Sequence, residues 1–163
     1  MTREASLWKA IVVAALIAGT ADLVYASIHI ASYYSMAPQQ IFQSIARGVL
    51  GPVAMQGGWN TACLGIVLEF VMTLIMAAFY IFTAKRITDL RKFWWLLGPC
   101  YGIVVMVVMY TVVLPLSAAQ GSGALPSGPQ MLYATILVHM FIVGFVIGAC
   151  ARYLWPQAEA ARS

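Results

Sequence analysis

Charge is what this chain has least of. Asp, Glu, Lys and Arg make up 9% of its 163 residues, against about 25% in an ordinary soluble domain. So little charge cannot clothe a soluble globule, and a mean hydropathy of +0.88 excludes one on the same ground. Cysteine is also sparse. Cys63, Cys100 and Cys150 are odd in number, lie inside apolar stretches and form no C-x-x-C, which argues against a disulfide framework and leaves them as small packing residues. The sequence contains no phosphate loop, no H-E-x-x-H, no heptad repeat and no Ser-His-Asp pattern. No catalytic residue is therefore expected, an enzyme acting on lipid would have no nucleophile pattern behind it, and nothing in the sequence requires a cofactor.

Long apolar runs are abundant. Four of them, at about 8–30, 60–84, 93–116 and 131–154, each carry enough residues to cross a bilayer, since a helix rising ~1.5 Å per residue needs about 20. The runs and their short connections use nearly all of residues 1–163, so the expectation is a single all-α integral membrane domain with four transmembrane helices. The first run follows a basic start that resembles a signal peptide, but it is too long for one and continues past Asp22 to Ile30, so it reads as a retained span.

The net charge of +4 does not point to nucleic acid, because the cations gather at the ends of the runs. Arg3 and Lys9 open the first run, Lys85, Arg86, Arg91 and Lys92 fill the connection between the second and third, and Arg152 and Arg162 close the chain. Arg47 alone falls on the other side. The positive-inside rule then expects both termini and the middle connection in the cytoplasm, with 31–59 and 117–130 facing outward. Trp59 and the run Phe93, Trp94 and Trp95 suit the two interfaces, and Asn60 or Thr61 suits a helix cap. Gly98-Pro99 suits a kink in the third span.

Between the first two spans, Pro38 can start a helix and Gly51-Pro52 can stop it. Ile41, Phe42, Ile45 and Val49 share one face, and Gln39, Gln43, Ser44 and Arg47 occupy the rest. The expectation is a short amphipathic helix on the outer interface, serving as a connector or as a lid or re-entrant segment over a pocket. In the fourth span Gly144 and Gly148 form a G-x-x-x-G motif. It marks a close helix contact, either within the bundle or with a second subunit as a homo-oligomer. On an ideal helix this face is about 140° from His139.

Ionisable residues inside the spans are the candidates for function. Counting from the outer ends, Asp22, Glu69 and His139 all lie roughly 12–14 Å below the outer boundary. Ala15, Ala18, Gly19, Tyr25, Ala26 and His29 lie within about 60° of Asp22 on the first helix, and these small residues turn that face inward. The second helix carries an inward stripe of Ala62, Gly65, Glu69, Met72, Thr73, Met76 and Tyr80. An ionised Asp at a helix centre costs about 2.5–3.5 kcal/mol on the insertion scale, so these groups must pair, neutralise or meet water. The expected cluster is Asp22, Glu69 and His139, with Tyr25 or Tyr110 as hydrogen-bonding neighbours and His29 nearer the rim.

Three roles fit such a cluster. It is a proton-titrating site in a small transporter or channel, a metal site using Asp22, Glu69 and His139, or structural glue in an accessory or scaffold subunit of a membrane complex. Glu-x-x-His spacing is missing for a carboxylate di-iron site. His29 and His139 differ in depth by ~10 Å, which suits a single bis-His haem poorly. Met72 with Met76, and Met106 with Met109, read as adaptable packing rather than copper ligands. Four helices enclose a narrow interior, so a transport pathway would call for a dimer or larger oligomer.

The latter half of the chain carries an apolar helix ending in Val113, Leu114, Pro115 and Leu116, then a Gly- and Pro-rich outer loop, then a helix with His139 leading to Arg152. With the run from Ala18 to Asp22, these features resemble the YagU-like group of small, uncharacterised bacterial inner-membrane proteins. The resemblance implies a protein of the bacterial cytoplasmic membrane associated with acid tolerance.

Overall fold

A computed structural model describes residues 3–119 and 128–155; Arg162 and most of the Gly- and Pro-rich loop lie outside the described residues. The described residues are helical, without a strand. Four helices are long and apolar enough to cross a membrane: α1 (Glu4–Tyr34), α3 (Gly58–Arg86), α4 (Trp94–Leu116) and α5 (Pro129–Tyr153). A shorter helix, α2 (Pro38–Leu50), lies between α1 and α3 and is followed by a 3-10 turn at Gly51–Gln56. The expected spans agree with these to within a few residues, because an unbroken apolar run in lipid must satisfy its own backbone and can do so only as a helix.

The half of the bundle that holds the ends of the described chain is packed solid. Leu7, Ala10, Ile11 and Ala14 of α1 meet Ala77, Tyr80, Ile81 and Ala84 of α3 and Ile147, Cys150 and Ala151 of α5, with Trp155 fully buried beneath them. Alanine on the facing surfaces lets the backbones approach, which is how helices gain packing energy without a hydrophobic driving force. The Tyr80 hydroxyl donates to Leu90 O at 2.9 Å and the Tyr101 hydroxyl to Met76 O at 2.8 Å, so the aromatic hydroxyls in this half are satisfied.

Arg91, which the sequence marks only as one more orienting cation, is 5% exposed. Its guanidinium donates to Ala151 O at 3.0 Å, Arg152 O at 3.4 Å and Trp155 O at 2.6 Å, and lies 4.9 Å from the centre of the Trp155 ring. It satisfies carbonyls that the end of α5 leaves open, and its positive charge suits that end of the helix dipole.

Glycines set the remaining crossings. A Cβ on Gly102 would overlap His139 O, and one on Gly144 would overlap Gly98 O. A Cβ on Gly148 would sit 3.1 Å from Trp94 O. Gly98 and Gly102 are themselves four apart, so two small-x-x-x-small pairs mesh between α4 and α5. Of the two partners open to the Gly144 and Gly148 face, the chain supplies its own α4, and both glycines are buried there rather than exposed to a second subunit. The helix runs unbroken through Pro99. Trp95 is exposed as a belt residue would be, while Trp94 turns inward against Phe145 and Tyr153.

The expected caps of α3 are not used. Gly57 takes the cap position, and Thr61 instead donates to Ala54 O at 2.6 Å, in the preceding turn. The face assignment of α2 also changes. Its buried residues are Ile41, Gln43 and Ala46, while Val49 is exposed. Gln43, expected on the polar face, is 3% exposed. Its amide nitrogen faces Ala54 O at 3.2 Å, Gly58 O at 3.1 Å and Thr61 Oγ1 at 3.2 Å. These acceptors lie in the joining turn and the first turn of α3, so a polar side chain is drawn to the packed side by the acceptors gathered there.

Candidate functional site

The other half of the bundle is hollow. A cavity of about 590 Å³ lies between α1, α2, α3, α4 and α5, with Thr73, Met76 and Val143 at its boundary with the packed half. Asp22, Glu69, His139 and Tyr110 all line it, so the three ionisable side chains that the sequence placed at one depth share one space with Tyr110. Asp22 is within electrostatic range of both Glu69 and His139. Met72, Met76, Met109 and Met131 supply much of the apolar wall.

Each polar side chain is held by local structure. Gly19 and Thr73 bring α1 and α3 together: a Cβ on Gly19 would come within 2.9 Å of Thr73 Oγ1, and that hydroxyl lies 3.3 Å from Ala15 O. This crossing places Asp22 and Glu69 just beyond it, on the cavity side. His139 Nδ1 lies 2.9 Å from Thr135 O. A carbonyl can only accept, so Nδ1 carries the hydrogen and Nε2 is the acceptor nitrogen of the neutral ring. Tyr110 of α4 and Thr135 of α5 line the cavity beside His139.

Tyr25 and His29 do not join the lining. They stack on each other with ring centres 5.2 Å apart, and His29 is exposed. Tyr25 stays within electrostatic range of Asp22 and Tyr110; His29 is carried to the surface by a π-helical turn at Ala26–Ile30. Its i to i+5 bonding winds the chain less per residue than an α-helix, so a face counted at 100° per residue is lost beyond Tyr25. Two further π-helical segments occur, at Met109–Val113 and His139–Phe145. Tyr110 and His139 lie in them. Three of the four spans thus depart from α geometry at the level of the cavity, and π turns inside helices are frequent at functional sites.

Sequence reasoning allowed α2 as a lid over a pocket but named none of its residues, nor the segment after α4, as part of the site. Ser44, Ile45, Arg47, Gly48 and Val49 of α2 line the cavity, as do Ser117 and Ala119 after α4. The end of α2 is fastened there: Ala118 N–H donates to Gly48 O at 2.9 Å, and Arg47 donates to Ala119 O at 3.4 Å. Gly51, at φ 68°, turns the chain away in a conformation that favours glycine. Farther back, a Cβ on Gly65 of α3 would overlap Phe42 O, so α2 and α3 touch backbone to backbone. The lone arginine between the first two spans and the glycine in the α3 stripe were the available signals.

Among the described residues, no three His, Cys, Asp or Glu side chains are grouped closely enough to hold a metal ion. Asp22, Glu69 and His139 line one cavity without converging on a single point. No family model, curated protein or solved structure matches this chain.

Proposed function

We propose that this protein is a proton-linked transport or permeation protein for a small solute, with Asp22, Glu69 and His139 as its proton-handling groups. Both termini and the Arg91 connection face the cytoplasm, the cavity faces outward, and α2 forms part of its rim. The observation that carries the reading is one cavity of about 590 Å³ lined by all three intramembrane ionisable residues, beside a bundle half that is packed solid. That volume lies in the range of about 300–1,000 Å³ found for small-molecule sites. Intramembrane acids and histidines that face such a space, rather than lipid, are the arrangement that proton relays use. The cation distribution supports the orientation, and it suits a bacterial cytoplasmic membrane.

Purified protein in proteoliposomes under an imposed pH gradient tests this. Wild type is expected to carry proton flux above empty vesicles, and Glu69→Gln to abolish it, because the amide fills the same space without exchanging a proton. Absence of flux in a correctly folded wild type would overturn the reading and leave the cluster as the structural glue of an accessory subunit.

A further inference from the structure

The cavity carries acidic side chains at one end and a basic one at the other. Asp22 and Glu69 lie at the deep end with His139, and Arg47 lies at the α2 end with Ser44, Ser117 and Ala119. Between them the wall is mostly apolar and adaptable, formed by Met109, Met131, Val113 and Leu114, with Tyr110 and Thr135 among them. The arginine is incompletely satisfied: its Nε is buried without a hydrogen-bond partner among the described residues, and its contact to Ala119 O is long, at 3.4 Å. A buried guanidinium N–H without an acceptor is costly, and the planar fork of arginine suits a carboxylate or phosphate best. A cation alone would answer the acids and leave Arg47 unpaired. An anion alone would answer Arg47 and meet two acids below.

We propose that the cavity binds a zwitterionic organic molecule with an apolar body, its anionic group on Arg47 and its ammonium group toward Asp22 and Glu69. This rests on the reading of the cavity as a solute site. The same chemistry is present in a soluble amino acid derivative or peptide and in the head group of a zwitterionic phospholipid.

The test uses the full chain in nanodiscs of phosphatidylglycerol and three probes that share one apolar body: L-phenylalanyl-L-phenylalanine, its C-terminal amide and its N-acetyl form, with binding followed by calorimetry. The dipeptide is expected to bind, and each modified form to bind about ten- to a hundredfold more weakly, the cost of removing one charge-assisted contact. Arg47→Gln is expected to weaken the dipeptide by a similar factor and leave the amide unchanged. Glu69→Gln is expected to weaken the dipeptide and leave the N-acetyl form unchanged. The probe comparison on wild type needs no variant, so it stands even if Arg47→Gln misfolds.

Phosphatidylethanolamine added to the nanodiscs separates the two sources. Competition with the dipeptide would identify a head group as the occupant, and lack of competition a soluble solute; both keep the zwitterion. Equal affinity for the dipeptide and its amide, or no binding of any probe, would overturn the proposal. Proton flux that depends on Glu69 alongside such a result would sink the ligand class alone, whereas absence of flux would sink the transport reading itself.

Discussion

Single residues in this protein act mainly through what they let the backbone do. Gly102 is the clearest case, because a methyl group there would press on His139 O and so on the turn that aims the imidazole. Gly102→Ala is expected to destabilise the fold by about 1–3 kcal/mol, the usual range for overpacking, when unfolding is followed by SDS titration from detergent micelles. Gly48→Ala provides the comparison, since nothing lies within 4 Å of its Cβ position; it should be neutral or slightly stabilising. Arg91 acts by satisfaction rather than space. Arg91→Lys keeps the charge but cannot reach Ala151 O, Arg152 O and Trp155 O together. The same titration should show a loss of about 1.5–3 kcal/mol, the worth of a hydrogen bond to a charged group.

Among the elements, α2 is the one whose position gives the cavity its rim. It is held at three points: Gln43 on the following turn, Phe42 O against Gly65, and Gly48 O with Arg47 on the segment after α4. Gln43→Leu matches the volume but removes the amide that donates to Ala54 O and Gly58 O, which keep the Thr61 hydroxyl, at about 0.5–1.5 kcal/mol for the hydrogen bonding lost. Faster amide hydrogen exchange confined to 38–58, with α3 and α5 unchanged, is the expected outcome. Exchange unchanged across 38–58 would mean that the contacts at Gly65 and at Gly48 with Arg47 hold α2 without Gln43. Amphipathicity made α2 legible as a helix, yet it misassigned Gln43, because periodicity counts a glutamine as outward-facing and has no knowledge of acceptors gathered fifteen residues along the chain.

At the scale of the whole molecule, a solid half and a hollow half make access one-sided. In a background with Cys63, Cys100 and Cys150 replaced by alanine, Met72→Cys on the cavity wall should react with a small charged thiol reagent added outside cells, and Ala77→Cys in the packed half should not. Equal protection of both positions would identify a cavity closed to water. Labelling of Met72→Cys from the cytoplasmic side alone would reverse the proposed orientation.

The spans, their order and the shared depth of Asp22, Glu69 and His139 were readable from the sequence alone, because the bilayer imposes one length and one hydrogen-bonding solution on every apolar run. Tyr110 was also readable, being at the same level. What the sequence left open was rotation about each helix axis and the pairing of faces. Tyr25 and His29 were drawn into the cluster on an ideal 100° count; Tyr25 stays within electrostatic range of Asp22, and the π turn at Ala26–Ile30 carries His29 to the surface. The Gly144 and Gly148 face could serve the bundle or a second subunit, and only the meeting with Gly98 and Gly102 decided between them. Arg47 entered the cavity through a long-range attachment to the segment after α4. Length and hydropathy are local properties of a chain in lipid; the angle at which a side chain meets its neighbours depends on every helix packed beside it, and that is a property of the fold.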